Sequence, residues 1–244
     1  MPDREAEVFV QIAGEPVLAG RLWAHRRRKV ESATFAYASA YLARKDSYPL
    51  DPALPLVSGQ LQTPEGRGIF GAFSDCAPDR WGRMLIRRRY GESAAGAGEH
   101  SFGEAEYLLG VRDDLRQGAL RFRDPLSGEF LAGEQGGVPH LVDLPRLLTY
   151  SERAESDAAS QEELDLLLKG GSSLGGARPK AHVLDRDGRL AIAKFPKAEG
   201  DEWDVAAWEA VALQLARDAG IEAAESRLTD VAGRSVHIVD RFDR

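Results

Sequence analysis

The stretch Gly170-Gly171-Ser172-Ser173-Leu174-Gly175-Gly176-Ala177-Arg178-Pro179-Lys180, followed closely by Ala191-Ile192-Ala193-Lys194-Phe195-Pro196, decides how this chain is read. Glycines lack a Cβ, so their backbone N–H groups can approach a phosphate, and a nearby lysine supplies the countercharge. The stretch therefore reads as a nucleotide triphosphate site. A glycine-rich loop is also an ordinary connector, and two common nucleotide motifs are not met. Gly171 and Gly176 have Walker A spacing, but Ala177-Arg178 stands where Lys and then Ser or Thr are required, and Gly-x-Gly-x-x-Gly does not fit either.

The elements around the loop favour the nucleotide reading. Strand patterns over residues 181–184 and 190–195 flank Asp185-Arg186-Asp187-Gly188, and Asp-Gly between apolar runs signals a hairpin. Residues 201–219 have helical periodicity and stop at Gly220. Residues 225–231 and 235–239 form a second hairpin around Ala232-Gly233. Loop, strand, turn, strand with a lysine, helix and hairpin is the order of the small lobe of a protein-kinase-like fold. There a glycine loop covers the phosphates, a strand lysine contacts them and a helix glutamate holds that lysine.

Lys194 shares one side of its strand with Ile192, and a covered ammonium must find an anion. An edge-strand lysine can instead snorkel to solvent. Glu209 is the candidate partner. Val205, Trp208, Ala212, Leu215, Ala216 and Ala219 form an apolar stripe expected to be buried, and Glu209 lies at its margin, where it can reach a lysine or remain solvated. Asp201, Glu202 and Asp204 read as first-turn charges suited to the helix dipole, and Trp203 and Trp208 as packing at the helix start.

Upstream, alternation at Val8, Val10 and Ile12, a turn at Ala13-Gly14-Glu15-Pro16 and the run 17–23 predict a hairpin. Residues 35–41 read as a further strand, 46–68 as loops or short strands and 77–89 as a basic helix. Residues 101–111 read as a helix with Ser101 and Glu104 in capping-box spacing, and 118–122 as a short strand. Residues 124–140 look like a connection, and 141–169 are mostly helical. The expected fold is α+β in two units. A mixed subdomain of strands and short helices spans 1–145, and a kinase-type small lobe, a twisted antiparallel sheet with one main helix, spans 146–244.

The 244 residues carry a net charge of −7, of which residues 151–244 hold −6 and residues 1–150 hold −1. Nucleic-acid domains usually show a basic excess. The runs Arg26-Arg27-Arg28-Lys29 and Arg87-Arg88-Arg89 therefore read as solvated faces before they read as DNA contacts. No apolar run is long enough for a transmembrane helix, the N-terminus lacks the order of a signal peptide, and Cys76 is the single cysteine. A cytoplasmic protein with no membrane partner is expected, with Cys76 in packing. The five histidines show no metal-ligand spacing, and no Ser/His/Asp set or Gly-x-Ser-x-Gly elbow is present, so no metal site is expected.

Together Ser173 to Lys180, Ala193-Lys194-Phe195-Pro196, Glu209 and above all Val239-Asp240-Arg241-Phe242-Asp243-Arg244 make the chain resemble the HipA family, serine/threonine kinases that act as toxins of bacterial toxin–antitoxin pairs. Phe70 to Arg83, Glu106 to Asp113 and Gly118-Ala119 are similar to helical segments of that family's N-terminal subdomain. The resemblance implies that Gly175, Gly176 and Ala177 cradle phosphates with Lys180 in the same loop, that Lys194 contacts the phosphates and that Glu209 orients it. It implies that the backbone of Asp240 and Phe242 meets adenine and that Asp243 reaches the ribose.

Ser173 matches the family's autophosphorylated serine, with Ser172 an immediate rival. A phosphate there would compete with the nucleotide for the same donors. The cofactors implied are ATP and Mg2+. The partners are a helix-turn-helix antitoxin, DNA only through that antitoxin, and a protein substrate, in the family an aminoacyl-tRNA synthetase. Pro179 departs from expectation because it has no N–H to donate. The large lobe, with its catalytic Asp and the Asn and Asp that hold magnesium, is absent from these residues. The chain is thus expected to be an N-terminal part of such a kinase, without catalytic residues of its own and inactive alone. The alternatives are a non-catalytic module that binds an antitoxin or subunit and keeps a vestigial loop, and a kinase of small molecules.

Overall fold

A computed structural model describes residues 4–27, 30–91, 102–131, 137–171 and 176–243. In chain order the elements are β1 (Arg4–Ile12), β2 (Glu15–Arg27), β3 (Val30–Tyr37), α1 (Ser39–Leu42), β4 (Gln60–Gln62), α2 (Gly71–Asp75), α3 (Arg80–Gly91), α4 (Glu104–Leu109) and β5 (Leu120–Arg123). They continue with α5 (Leu144–Glu155), α6 (Gln161–Lys169), β6 (Lys180–Leu184), β7 (Leu190–Lys194), α7 (Val205–Asp218), β8 (Ser226–Val231) and β9 (Arg234–Asp240). The fold is mixed α+β with two antiparallel sheets. The chain divides into two compact units, residues 1–78 with 101–134 and residues 79–100 with 135–244.

In the first unit the strands run in the order β4-β3-β2-β1-β5. The β1–β2 hairpin turns on Ala13 and Gly14, both at positive φ (51° and 87°), the geometry that matches a two-residue turn to the strand twist. A register shift between Val8 and Phe9 leaves Ala19 as an extra residue on β2. Beside it Gly20 admits no side chain, because a Cβ there would stand 2.2 Å from the Ala36 carbonyl oxygen. The core is aromatic: Phe35, Tyr41, Phe70, Phe73 and Phe122 are fully buried, and Phe35, Phe70 and Phe122 each meet Phe73 edge-on. The buried Arg116 guanidinium lies over Phe122, 4.6 Å from its centroid, and donates to the carbonyls of Cys76, Leu108 and Val111.

Cys76 is packing in this core, its thiol donating to Ala72 O and pushed up to about 11 chiefly by burial. The expected strand over 35–41 ends at Tyr37, and the chain then turns into α1, where the buried Tyr41 donates its hydroxyl to Tyr48 O. The start of α4 uses Glu106 rather than the expected Ser101–Glu104 pair: the Glu106 carboxylate accepts from Gly103 N (2.8 Å), and Glu31 accepts from Glu104 N (2.9 Å). Ser101 lies outside the described residues.

In the second unit the sheet order is β6-β7-β9-β8. Alternation separates its two faces. Ala181, Val183, Ala191, Ala193, Phe195, Val236 and Ile238 face a core shared with Leu144, Leu147 and Leu148 of α5, Leu164 and Leu167 of α6, and Trp81 and Leu85 of α3. The basic helix thus belongs by packing to the second unit, whereas the expected boundary at residue 145 would have set it in the first. Its apolar side carries Trp81 and Leu85, and two of its arginines are held within the unit: Arg89 forks onto Asp165 and Arg88 pairs with Asp157. Among the described residues no helix is long and apolar enough to cross a membrane.

Candidate functional site

The other face of this sheet carries the polar residues. Lys180 of β6, Lys194 of β7 and His237 of β9 are successive cross-strand partners, so they form one row across three strands. α7 lies over this row. Asp204 caps it by accepting from Ala207 N (2.9 Å), and Glu209 follows more than one turn later. The Glu209 carboxylate pairs with the Lys194 ammonium through Oε1, and both side chains are partly buried. Its second oxygen stands 3.6 Å from His237 Nδ1, outside hydrogen-bond reach. The nearby His237 ring and the Lys194 ammonium together hold the Glu209 carboxyl down to about 2, against the upward pull of burial.

This pair lines a cleft of about 230 Å³. Gly176, Ala177, Arg178 and Lys180 line it too, together with Phe195, Pro196, Val205 and Ala206. Gly176 has φ +91°, which disfavours a side chain, and a Cβ there would come 3.4 Å from Lys180 Nζ. Backbone donors, one accessible ammonium and an apolar wall can receive a polyanion with a flat apolar group.

Several sequence expectations change in detail. Lys180 lines the cleft, but its ammonium is buried and donates to Asp79 Oδ2 (2.8 Å), with both side chains about 95% covered. Asp79 also caps α3, its Oδ1 accepting from Gly82 N (2.7 Å). Burial lowers the Lys180 pKa, and Asp79 opposes that shift. Arg178 forks onto Asp201 (2.8 and 2.7 Å), so Asp201 is an anchor for the loop rather than a first-turn charge of α7. That bond holds the Asp201 carboxyl below the usual range. Ser172, Ser173 and Gly175 lie outside the described residues.

At the chain's end, Asp240 N donates to Glu225 O and its carboxylate accepts from Arg227 (3.1 Å). Phe242 is 91% exposed. Asp243 is gripped by Arg241 through two bonds of 2.8 and 2.6 Å. Arg241 Nη1 also meets His182 Nε2 (2.8 Å), and His182 Nδ1 meets Gly170 O (2.9 Å). With the carbonyl as acceptor, His182 carries its proton on Nδ1, and Nε2 accepts from the guanidinium. The hinge-like end is thus tied to the base of the glycine loop.

Asp79, His182, Asp201 and His237 were not singled out in the sequence as partners of this site. Only their cross-strand register and helix ends, fixed by folding, bring them to it. The apolar stripe of α7 also departs from expectation: Trp208 and Leu215 are 64% and 62% exposed, and Trp203 is exposed as well.

Comparison with known proteins finds two family matches. The HipA N-terminal domain matches residues 10–103, and the HipA-like C-terminal domain matches residues 172–244. No curated protein matches the chain. Among solved structures, the fold is similar to a chain of the Shewanella oneidensis MR-1 toxin–antitoxin complex of HipA, HipB and operator DNA, with a TM-score of 0.56 at 16% identity. That match covers 98% of this chain and 51% of the other, so the chain spans about half the length of its structural relative.

Proposed function

The chain belongs to the HipA family, and on that premise we propose that its second unit is the nucleotide-binding small lobe of a serine/threonine protein kinase toxin. The observation that carries this reading is the Lys194–Glu209 pair, lining one cleft with Gly176, Ala177 and Arg178. A strand lysine held by a helix glutamate beneath a glycine loop is the arrangement that places an ammonium on nucleotide phosphates. ATP is the proposed ligand, with Lys194 toward its phosphates and the backbone of Gly176 and Ala177 around them. Gly175 and Ser173 would complete the loop, with Ser173 the proposed autophosphorylation site. Asp240 and Phe242 would meet adenine through their backbone, and Asp243 the ribose. Mg2+ would neutralise charge between the phosphates, and its ligands and the general base are proposed to lie outside these 244 residues.

The structural relative was solved with HipB and operator DNA. By that likeness the proposed partner is a helix-turn-helix antitoxin, with DNA reached only through it. The proposed substrate is a protein of the translation machinery, an aminoacyl-tRNA synthetase by family expectation, in the cytoplasm. A second reading rests on its own observation. Lys180 is committed to Asp79, Arg178 to Asp201, and Pro179 has no N–H, which leaves fewer phosphate donors than an active loop usually offers. On that reading the unit is a non-catalytic module for an antitoxin or subunit.

Calorimetric titration of the full chain with Mg–ATP separates the two. The kinase-lobe reading expects saturable binding that weakens at least about tenfold in Lys194→Ala, the loss of one charge-assisted phosphate contact. No binding by the wild type, with the fold intact by circular dichroism, would leave the module reading standing.

A further inference from the structure

His237 is fully buried, and neither of its ring nitrogens has a hydrogen-bond partner among the described residues. A buried polar group without a partner calls for an explanation. The elements packed against it supply few candidates. β7 places Lys194 directly across from it, β8 places the apolar Leu228 on the other side, and α7 brings Glu209. One strand further lies Lys180, already paired with Asp79. Glu209 is therefore the acceptor within reach among these groups. One of its oxygens is taken by Lys194, and the other stops 3.6 Å from His237 Nδ1.

We infer that His237 is a positioning residue, the third member of a Lys194–Glu209–His237 set, which takes hold of Glu209 and gains a proton when Lys194 shares its ammonium with a bound phosphate. The inference rests on the nucleotide reading of the cleft. Without an anion, Lys194 neutralises Glu209 and the imidazole is left unpaired. When phosphate oxygens draw on the ammonium, the carboxylate is less compensated. A small rotation then brings its free oxygen onto Nδ1, and the proton that charges the ring comes from solvent. A carboxylate in a partly desolvated site favours a cation beside it.

The test is calorimetric titration of the full chain with Mg–ATP at one pH in two buffers of different ionisation enthalpy, which counts protons taken up on binding. Wild type is compared with His237→Leu, since an apolar side chain suits a buried site whose polar atoms are unpaired. Protons belonging to the nucleotide cancel in the difference. The expected result is greater uptake by wild type, by up to one proton, and an affinity that gains up to about tenfold more per pH unit of acidification than that of the variant. Equal uptake with retained binding would overturn the inference while leaving the nucleotide site in place. Absence of nucleotide binding in wild type would remove both. Should His237→Leu not fold, ring nitrogen chemical shifts of His237 in the wild type, with and without Mg–ATP, decide the matter: a ring that stays neutral in the complex refutes the inference.

Discussion

At the scale of single residues, the second unit is marked by how its charges are shared out. Three cations surround the cleft, and each has an anionic partner: Lys194 on Glu209, Arg178 on Asp201 and Lys180 on Asp79. Of the two ammonium groups, that of Lys194 is partly accessible and on a partly open carboxylate whereas that of Lys180 is covered, which is why Lys194 is the one proposed to meet phosphate. The Lys180–Asp79 pair is structural by the same measure. Removing one member of a buried pair strands the other charge, at a cost of about 3–5 kcal/mol, whereas replacing both by apolar groups is often close to neutral. Asp79→Asn should therefore lower the denaturant midpoint strongly, and adding Lys180→Met should recover much of the loss. A single Asp79→Asn that is as stable as wild type would show that the pair does not hold α3 to the sheet. The sequence pattern set Lys180 in the glycine loop, whereas it begins β6. Its partner Asp79 was not legible, because 101 positions of sequence separate the two.

At the scale of elements, helices and strands were legible where periodicity and turn residues agree. The hairpins at Ala13-Gly14 and Ala232-Gly233 turn on residues at positive φ, and β6, β7 and α7 lie within the predicted strand and helix stretches, whereas the helical stretch over 141–169 forms two helices, α5 and α6. The faces of helices were less legible. α7 has the pattern of a buried amphipathic helix, yet Trp208, Val211 and Leu215 are exposed, and the residue turned well inward is Ala206. Periodicity states that a helix has an apolar side and is silent on whether anything covers it. The contrast gives a direct test. Leu215→Ala should change stability by less than about 0.5 kcal/mol in the isolated chain. Leu147→Ala, in the fully buried core beneath the sheet, should cost about 2–5 kcal/mol. Chemical denaturation of both variants checks this, and a Leu215→Ala penalty as large as that of Leu147→Ala would mean that the stripe is covered in solution.

At the scale of the whole molecule, the chain builds two cores, one aromatic and one largely aliphatic. Each is closed by residues from two separate parts of the sequence, because 79–100 leaves the first unit to join the second and 101–134 returns. Native-state hydrogen exchange should therefore respond unit by unit. Phe73→Ala should raise exchange first in β1 to β3 and β5 and leave β6, β7 and β9 closer to wild type. A uniform rise over all strands would instead indicate one cooperative block. The sequence by itself determined the local events. It specified where strands turn, the helical character of residues 141–169 and 201–219 and the loop–strand–helix order of the second unit, because backbone propensity and side-chain spacing act over a few residues to a few turns. Only the tertiary structure decided that α3 packs with the second unit, that Asp79 holds Lys180, that His237 stands behind Glu209 and that the stripe of α7 stays open. Those outcomes depend on cross-strand register and on which surfaces meet, and both are set by contacts between residues far apart in the chain.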